Sequence, residues 1–349
     1  MKVNWACDNL QASNQNSQTM EPTNVQVSFF HHIKTLLPAH LSFVDEIADL
    51  LCISNDSAYR RIRGEKPISI EELQKLATRY KISLDQFFHL QTDSFIFTGK
   101  LANAVDHVFE KWMENLLQQV MFINSFQHKH MYFLAKDVPL MQQFLSPELM
   151  CFKSFFWRKS ILHYEDLKGQ KFSLNNIDPK HIELGKKIID AYNQIPSTDI
   201  WNIESINSTI RQIEFYREAN AFDSKEDRVK LYEAVFKLID HIEKQAEYGA
   251  KFAMDGKPGP DSAAYNLFNN ELILGDNTVL AELNNLKITF LNHSVINFVG
   301  TQDERFNAHV FDNLQNLIKK STQLSKVGEK ERTRFFHRIR EKIRQASKH

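Results

Sequence analysis

Between Ser42 and Leu90 the chain breaks into short helical pieces with sharp punctuation between them, and no other stretch constrains the fold as tightly. Val44, Ile47, Ala48 and Leu51 recur at helical spacing and mark one buried face. Ile53-Ser54 interrupts that helix, and Ser54 suits the N-cap of the next, where its hydroxyl accepts from a free backbone N–H. The new helix carries Ala58 and Ile62 on its inner side, and Gly64 stops it. Ser69-Ile70-Glu71-Glu72 reads as a capping box that opens a fourth helix, with Leu73, Leu76 and Ala77 inward. Ser83, with Gln86 three residues on, repeats the signal for a fifth, which buries Leu84 and Phe87 or Phe88. Upstream, Phe29, Phe30, Ile33 and Leu37 predict a first helix over 27–37, ended by Pro38. The second starts near Ser42, with Asp45 at its N3 position. Each piece is too short to be stable alone, so the spacing predicts a compact five-helix bundle held by tertiary packing.

The third helix has little use as a core element. Its outward residues are Asn, Tyr and Arg, which suits a probe for a DNA major groove. The candidate contact residues are Ser54, Asn55, Asp56, Ser57, Tyr59, Arg60, Arg61 and Arg63. Tyr59, Arg60 and Arg63 are of the types that reach bases or phosphates, and Asn55 fits adenine or a phosphate. Ser57 either bonds phosphate or finishes the helix end. The charge of Asp56 suits the helix N-terminus and its carboxylate fits a cytosine amine, at the cost of repulsion by phosphate. Residues 42–90 hold eight acidic and seven basic side chains, and three of the seven are Arg60, Arg61 and Arg63. That asymmetry gives a local positive footprint on a chain whose formal net charge is zero. The competing reading of the same face is a solvated surface for a protein partner.

The run CISNDSAYRRIRGEKPISIEELQKLATRYKISLDQFF resembles the helix-turn-helix domain of phage-repressor-like (XRE-type) transcription regulators. In that family a Ser opens the recognition helix, a Gly closes it, and an ISLD-like turn completes a lambda-repressor-like bundle. Here those places fall on Ser54, Gly64 and residues 82–85. The resemblance implies DNA-facing positions at Asn55, Asp56, Tyr59 and Arg60, with Ser54 near phosphate. The pattern departs at Arg61 and Ile62, where the usual order is an apolar residue and then Glu. More narrowly, the chain is similar to long regulators common in Bacteroidota, in which such a domain precedes a large region. That region carries a KD-P stretch, here residues 136–139, and an FFW stretch, here residues 155–157.

The rest of the chain is organised differently. Residues 1–24, rich in Asn, Gln and Ser, read as a disordered arm. A boundary falls near 91–97, followed by one long helix from Leu101 to about Phe126, fit for a connector or a dimerising element. Residues 130–140 read as a strand. Ser146-Pro147 and Asp178-Pro179 each pair a cap residue with Pro at the first helical position. Further helices are expected over about 201–219 and 224–250. Residues 254–260 must turn. Beyond them the pattern predicts about three strands in a small antiparallel sheet, then helices from Thr301 to about Leu324 and from 329 to 346. From Lys319 onward there are eleven Lys or Arg against three Glu. This end either adds nonspecific DNA contacts, lies on an anionic surface, or is a solvated cap packed by Phe335 and Phe336.

Three widely spaced cysteines, Cys7, Cys52 and Cys151, give neither a disulfide framework nor a zinc site, and point to a reducing compartment. No run of 18 apolar residues exists, and the first residues lack the apolar core of a signal peptide. No phosphate loop, dinucleotide fingerprint, zinc-protease or nucleophile-elbow motif occurs. His31, His32, His128, His130, His181 and His241 read as core or surface residues, and the Phe-rich second region as core or, less simply, a small-molecule pocket. The expected fold class is mainly α: a helix-turn-helix bundle over 25–92, then a larger, mostly helical α+β region over 98–349. The expected function is a cytoplasmic, non-enzymatic, sequence-specific DNA-binding regulator that needs no cofactor or metal. Its partners would be double-stranded DNA, a second copy of the chain, and an unknown small-molecule or protein effector, with no membrane. The alternatives are an interaction adaptor on a helix-turn-helix fold, or an enzyme with such a fold as its targeting module.

Overall fold

The computed structural model describes residues 24–35, 37, 42–80, 82–88, 95–99, 109–272, 275, 277–284, 286–294 and 296–348. The chain forms two units, 1–93 and 94–349.

The first unit is a bundle of α1 (Val25–Thr35), α2 (Phe43–Leu51), α3 (Asn55–Ile62), α4 (Ile70–Tyr80) and α5 (Leu84–Phe87). Its core is Phe29, Phe30, Ile33, Ile47, Ala48, Leu51, Ala58 and Leu76, close to the set that periodicity selects. The aromatic residues meet edge-on, as Phe29 does with Phe87 at 5.2 Å. α1 lies two residues earlier than its apolar spacing suggests, and Pro38 falls outside the described residues. So do most of the expected arm and the Gln86 side chain of the second capping box. Ser42 precedes α2 as expected but makes no side-chain cap bond.

In the second unit Thr98 bridges Gly300, and the first described helix is α6 (Phe109–Asn124), which carries the C-terminal part of the expected long helix; residues 101–108 lie outside the described ones. There follow β1 (Lys129–Leu134), α7 (Leu140–Gln143), α8 (Pro147–Phe156), α9 (Pro179–Tyr192), β2 (Ser197–Trp201), α10 (Asn207–Glu218) and α11 (Lys225–Tyr248). Then come β3 (Tyr265–Asn269), β4 (Thr278–Leu283), β5 (Leu286–Asn292), β6 (Phe298–Thr301), α12 (Glu304–Lys319), β7 (Thr322–Gln323) and α13 (Glu329–Ser347). Both cap-and-Pro signals hold: Ser146 accepts from Leu149 N at 3.3 Å and Asp178 from Lys180 N at 3.0 Å.

The described strands form one mixed sheet in the order β6-β5-β4-β1-β2-β3-β7. β1, β2 and β3 run parallel at its centre, and antiparallel pairs extend it on both sides. The sequence reading differs in several places: the strand expected over 130–140 ends at Leu134, and the helix expected to run to about Leu324 ends at Lys319, with β7 after it. The stretch from Tyr265 to Thr301 holds four strands where about three were expected. The helix expected from about 201 starts at Asn207, after a turn over 202–206, and Trp201 instead ends β2, which is buried along its whole length. A strand buried on both faces has no polar alternation to reveal it. Ser197, Thr198 and Asp199 are buried in it, and Asp199 accepts from Tyr265 Oη at 3.1 Å and from Ser197 Oγ at 3.2 Å. A large apolar cluster that draws on α6, α8, α9, α11 and α13 covers one sheet face, and Leu314 of α12 packs with Ile200 and Leu280 on the other.

Candidate nucleic-acid interface

α3 is held at both ends by bonds the sequence encodes. At its start Ser54 accepts from Ser57 N at 3.3 Å. At its end Gly64 adopts φ +77°, Gly64 N donates to Arg61 O at 3.0 Å and Glu65 N to Arg60 O at 2.8 Å. This 5→2 and 6→1 pair is the Schellman arrangement, which favours glycine because a side chain is strained at positive φ. A Cβ at Gly64 would also meet Asn24 at 2.5 Å.

At 3.6 residues per turn, Asn55, Tyr59, Arg63, Asp56 and Arg60 fall in one arc of roughly 140°. All five are exposed, Tyr59 by 48%. Arg61 and Ala58 lie on the other side and are buried, and Ile62, at the edge of the arc beside Asn55, is half-buried. The candidate set therefore splits. The Arg63 guanidinium rests over the Tyr59 ring at 5.5 Å and pairs with Glu65 at 3.3 Å. Asn55 Nδ2 donates to Asp45 Oδ1 at 2.8 Å, which ties the first turn of α3 to α2. Ser57 is half-buried, and its hydroxyl accepts from Arg61 Nη1 at 2.6 Å.

Arg61 corrects the sequence reading. It is only 7% exposed and is not part of the outward basic face. Its Nε and Nη2 reach the two carboxylate oxygens of Glu72 at 3.0 and 2.8 Å. The cause is its place three residues after Ala58, on the buried side of the helix. Glu72 also completes the predicted capping box of α4, accepting from Ser69 N at 3.0 Å while its own N–H donates to Ser69 Oγ at 3.2 Å. The Arg61 guanidinium and the Ser69 N–H hold the Glu72 carboxyl below its ordinary range, against the opposing effect of burial.

Sequence reasoning missed Gln26. Its Nε2 donates to Arg61 O at 2.7 Å and to Lys66 O at 2.8 Å, and its Oε1 accepts from Ile68 N at 3.0 Å. One amide of α1 thus saturates the backbone just after α3. Nothing local to Gln26 signals this, since its partners lie 35 to 42 residues away.

The expected basic end is committed elsewhere only in part. Phe335, Phe336, Ile339 and Ile343 of α13 are buried, Arg340 pairs with Asp240 at 2.6 Å and with Glu243, and Lys342 reaches Glu204 at 2.8 Å. Lys330, Arg334, Arg338 and Arg344 of α13 remain exposed, as do Lys319, Lys320, Lys326 and Lys348 on either side of it.

Residues 39–110 match the family model of the BetR domain. The match starts in the bundle, includes all of α3 and α4, and reaches the start of α6. It supports a helix-rich N-terminal region of general transcription-regulator type. No curated protein and no solved structure matches the chain.

Outside this face, Glu110, Asp178 and His181 bring one ligand-type atom each within 4.8 Å of one another. Lys180 reaches into that group, 3.8 Å from Glu110. His130 is held on Thr198 Oγ1 at 2.9 Å, and burial lowers its pKa to about 4. His241 Nε2 lies 3.0 Å from Phe252 O. Among the described residues no helix is long and apolar enough to cross a membrane.

Proposed function

We propose that this chain is a sequence-specific DNA-binding transcription regulator in which α3 enters the major groove and α2 braces it across the backbone. The observation that carries the reading is the exposed arc of Asn55, Asp56, Tyr59, Arg60 and Arg63 on a helix capped at both ends. The BetR-domain match over the same residues supports it. Arg60 and Arg63 are the groups suited to guanine or phosphate, and Tyr59 to phosphate. Ser54 and Ser57 act through the helix start, and Arg61 positions α3 without touching DNA. A module this small buries little surface, so useful affinity calls for two copies on a two-fold site. The second unit is the place for dimerisation or effector sensing. The chain then works in the cytoplasm, without catalysis.

The test is an unbiased selection of DNA sequences on the purified full-length protein, with its mass in solution measured alongside. An enriched palindrome with half-sites about one helical turn apart supports the reading. No enrichment from folded protein at low salt overturns it and favours a protein partner on the same face.

A further inference from the structure

In the second unit a cavity of about 120 Å³ lies off the carboxyl end of β1. Leu134, Val279, Phe290 and Phe298 bring the ends of four adjacent strands to its wall. The crevice outside the carboxyl ends of strands is where open α/β sheets hold ligands. The opposite wall is apolar, from Leu116 and Val120 of α6. Apolar cavities of about 150 Å³ admit benzene, so this smaller one takes an apolar body of no more than about six heavy atoms.

Three polar residues elsewhere in the lining are not fully used. Lys153 of α8 is 3% exposed, and its Nζ donates to Thr209 Oγ1 at 2.9 Å and Gln212 Oε1 at 2.7 Å. An ammonium has three N–H groups, so one is unspent. Both partners are neutral, and among the described residues no carboxylate lies within ion-pair reach. Trp157 Nε1 and Gln143 Oε1 are buried without a partner. A buried ammonium whose one lining carboxylate, Asp137, is beyond ion-pair reach, in a lining that also holds an unmatched donor and an unmatched acceptor, is costly in a folded core unless something completes it.

We infer that this cavity binds a small apolar carboxylic acid, its carboxylate on Lys153 and the Trp157 N–H and its apolar body between α6 and the sheet. Gln143 Oε1 is left for a donor next to the carboxylate, such as a 2-hydroxyl or 2-amino group. Lys153 and Asp137 are the titratable groups that line the cavity. Burial brings the Lys153 ammonium down to about 7, and the Asp137 charge opposes this. A bound carboxylate stabilises the ammonium, so affinity is full below pH 7 and falls as the pH rises above it.

The test uses the full-length protein without DNA, so it is independent of the proposed DNA binding. Calorimetric titration at pH 6.5 compares 3-methylbutanoate, 4-methylpentanoate and their 2-hydroxy and 2-amino forms with the corresponding primary amides. At least one acid is expected to bind, and its amide at least tenfold more weakly. Lys153→Met should bind acid and amide alike. Val279→Phe, which fills the cavity and keeps Lys153, should bind neither while circular dichroism stays unchanged. The inference is overturned if no acid binds at millimolar concentration or if wild type binds acid and amide equally. It is also overturned if Lys153→Met keeps the preference for acid, or if Val279→Phe leaves acid binding intact.

Discussion

Arg61 and Glu72 form a two-pronged ion pair that fastens the back of α3 to the first turn of α4, with Nε and Nη2 at 3.0 and 2.8 Å from the two carboxylate oxygens. The same carboxylate caps α4 through Ser69. One glutamate therefore sets both the start of a helix and the orientation of the helix before it. Adjacent arginines on α3 consequently have different tasks: Arg60 is exposed, and Arg61 is an internal strut.

That division predicts opposite results for two substitutions. Arg61→Ala should cost about 2–3 kcal/mol of stability in the first unit, because it leaves Glu72 half-buried and unpaired. Arg60→Ala should change stability by less than about 0.5 kcal/mol and weaken binding to a selected DNA site about tenfold or more. Chemical denaturation and DNA titration of both variants check this. Equal stability losses would sink the assignment.

The pair also fixes a pH dependence. The Glu72 carboxyl titrates below its ordinary value, so its contribution is complete above about pH 4.5 and is lost as the pH falls through the lower folded value. In Glu72→Gln the stability of the first unit should be lower at neutral pH and should fall less steeply below pH 4.5. Denaturation midpoints between pH 3 and 7 measure this, and parallel curves for the two proteins would contradict it.

Gln26 gives a prediction that the local sequence does not suggest. Gln26→Ala removes three bonds to the backbone at Arg61, Lys66 and Ile68. The expected cost is about 1–3 kcal/mol, with faster amide exchange at Ile68. Unchanged exchange there would show that the backbone after α3 does not depend on this side chain.

α13 separates charge from packing. Deleting residues 329–349 removes Phe335, Phe336, Ile339 and Ile343 from the core and should unfold the second unit. Reversing three of its exposed charges, with Lys330→Glu, Arg334→Glu and Arg338→Glu together, should leave the fold and the selected DNA motif intact. A changed motif in the charge-reversed protein would place α13 on DNA.

Cys151 should be inert in the folded protein. It is buried, and burial pushes its thiol up to about 11. Cys52 is exposed. Iodoacetamide at pH 8 should label Cys52 under native conditions and Cys151 only after unfolding, read by peptide mass. Rapid native labelling of Cys151 would show that α8 opens.

What the sequence determined by itself is local. Ser54, Gly64, the Ser69–Glu72 box and the Ser146-Pro147 and Asp178-Pro179 pairs each act over a few residues, so their spacing alone encodes the helix ends they form. The inward side of the bundle was legible for the same reason, since periodicity needs only the chain's own geometry. Tertiary structure alone decided the partners of long side chains and the order of the strands. Arg61 reaches Glu72 across a loop, Gln26 reaches backbone 35 or more residues on, and β2 becomes a central strand because β1 and β3 flank it. Lys153, Trp157 and Gln143 meet around one cavity by the same kind of long-range packing. Such contacts depend on how distant elements pack, and no short-range pattern carries that information.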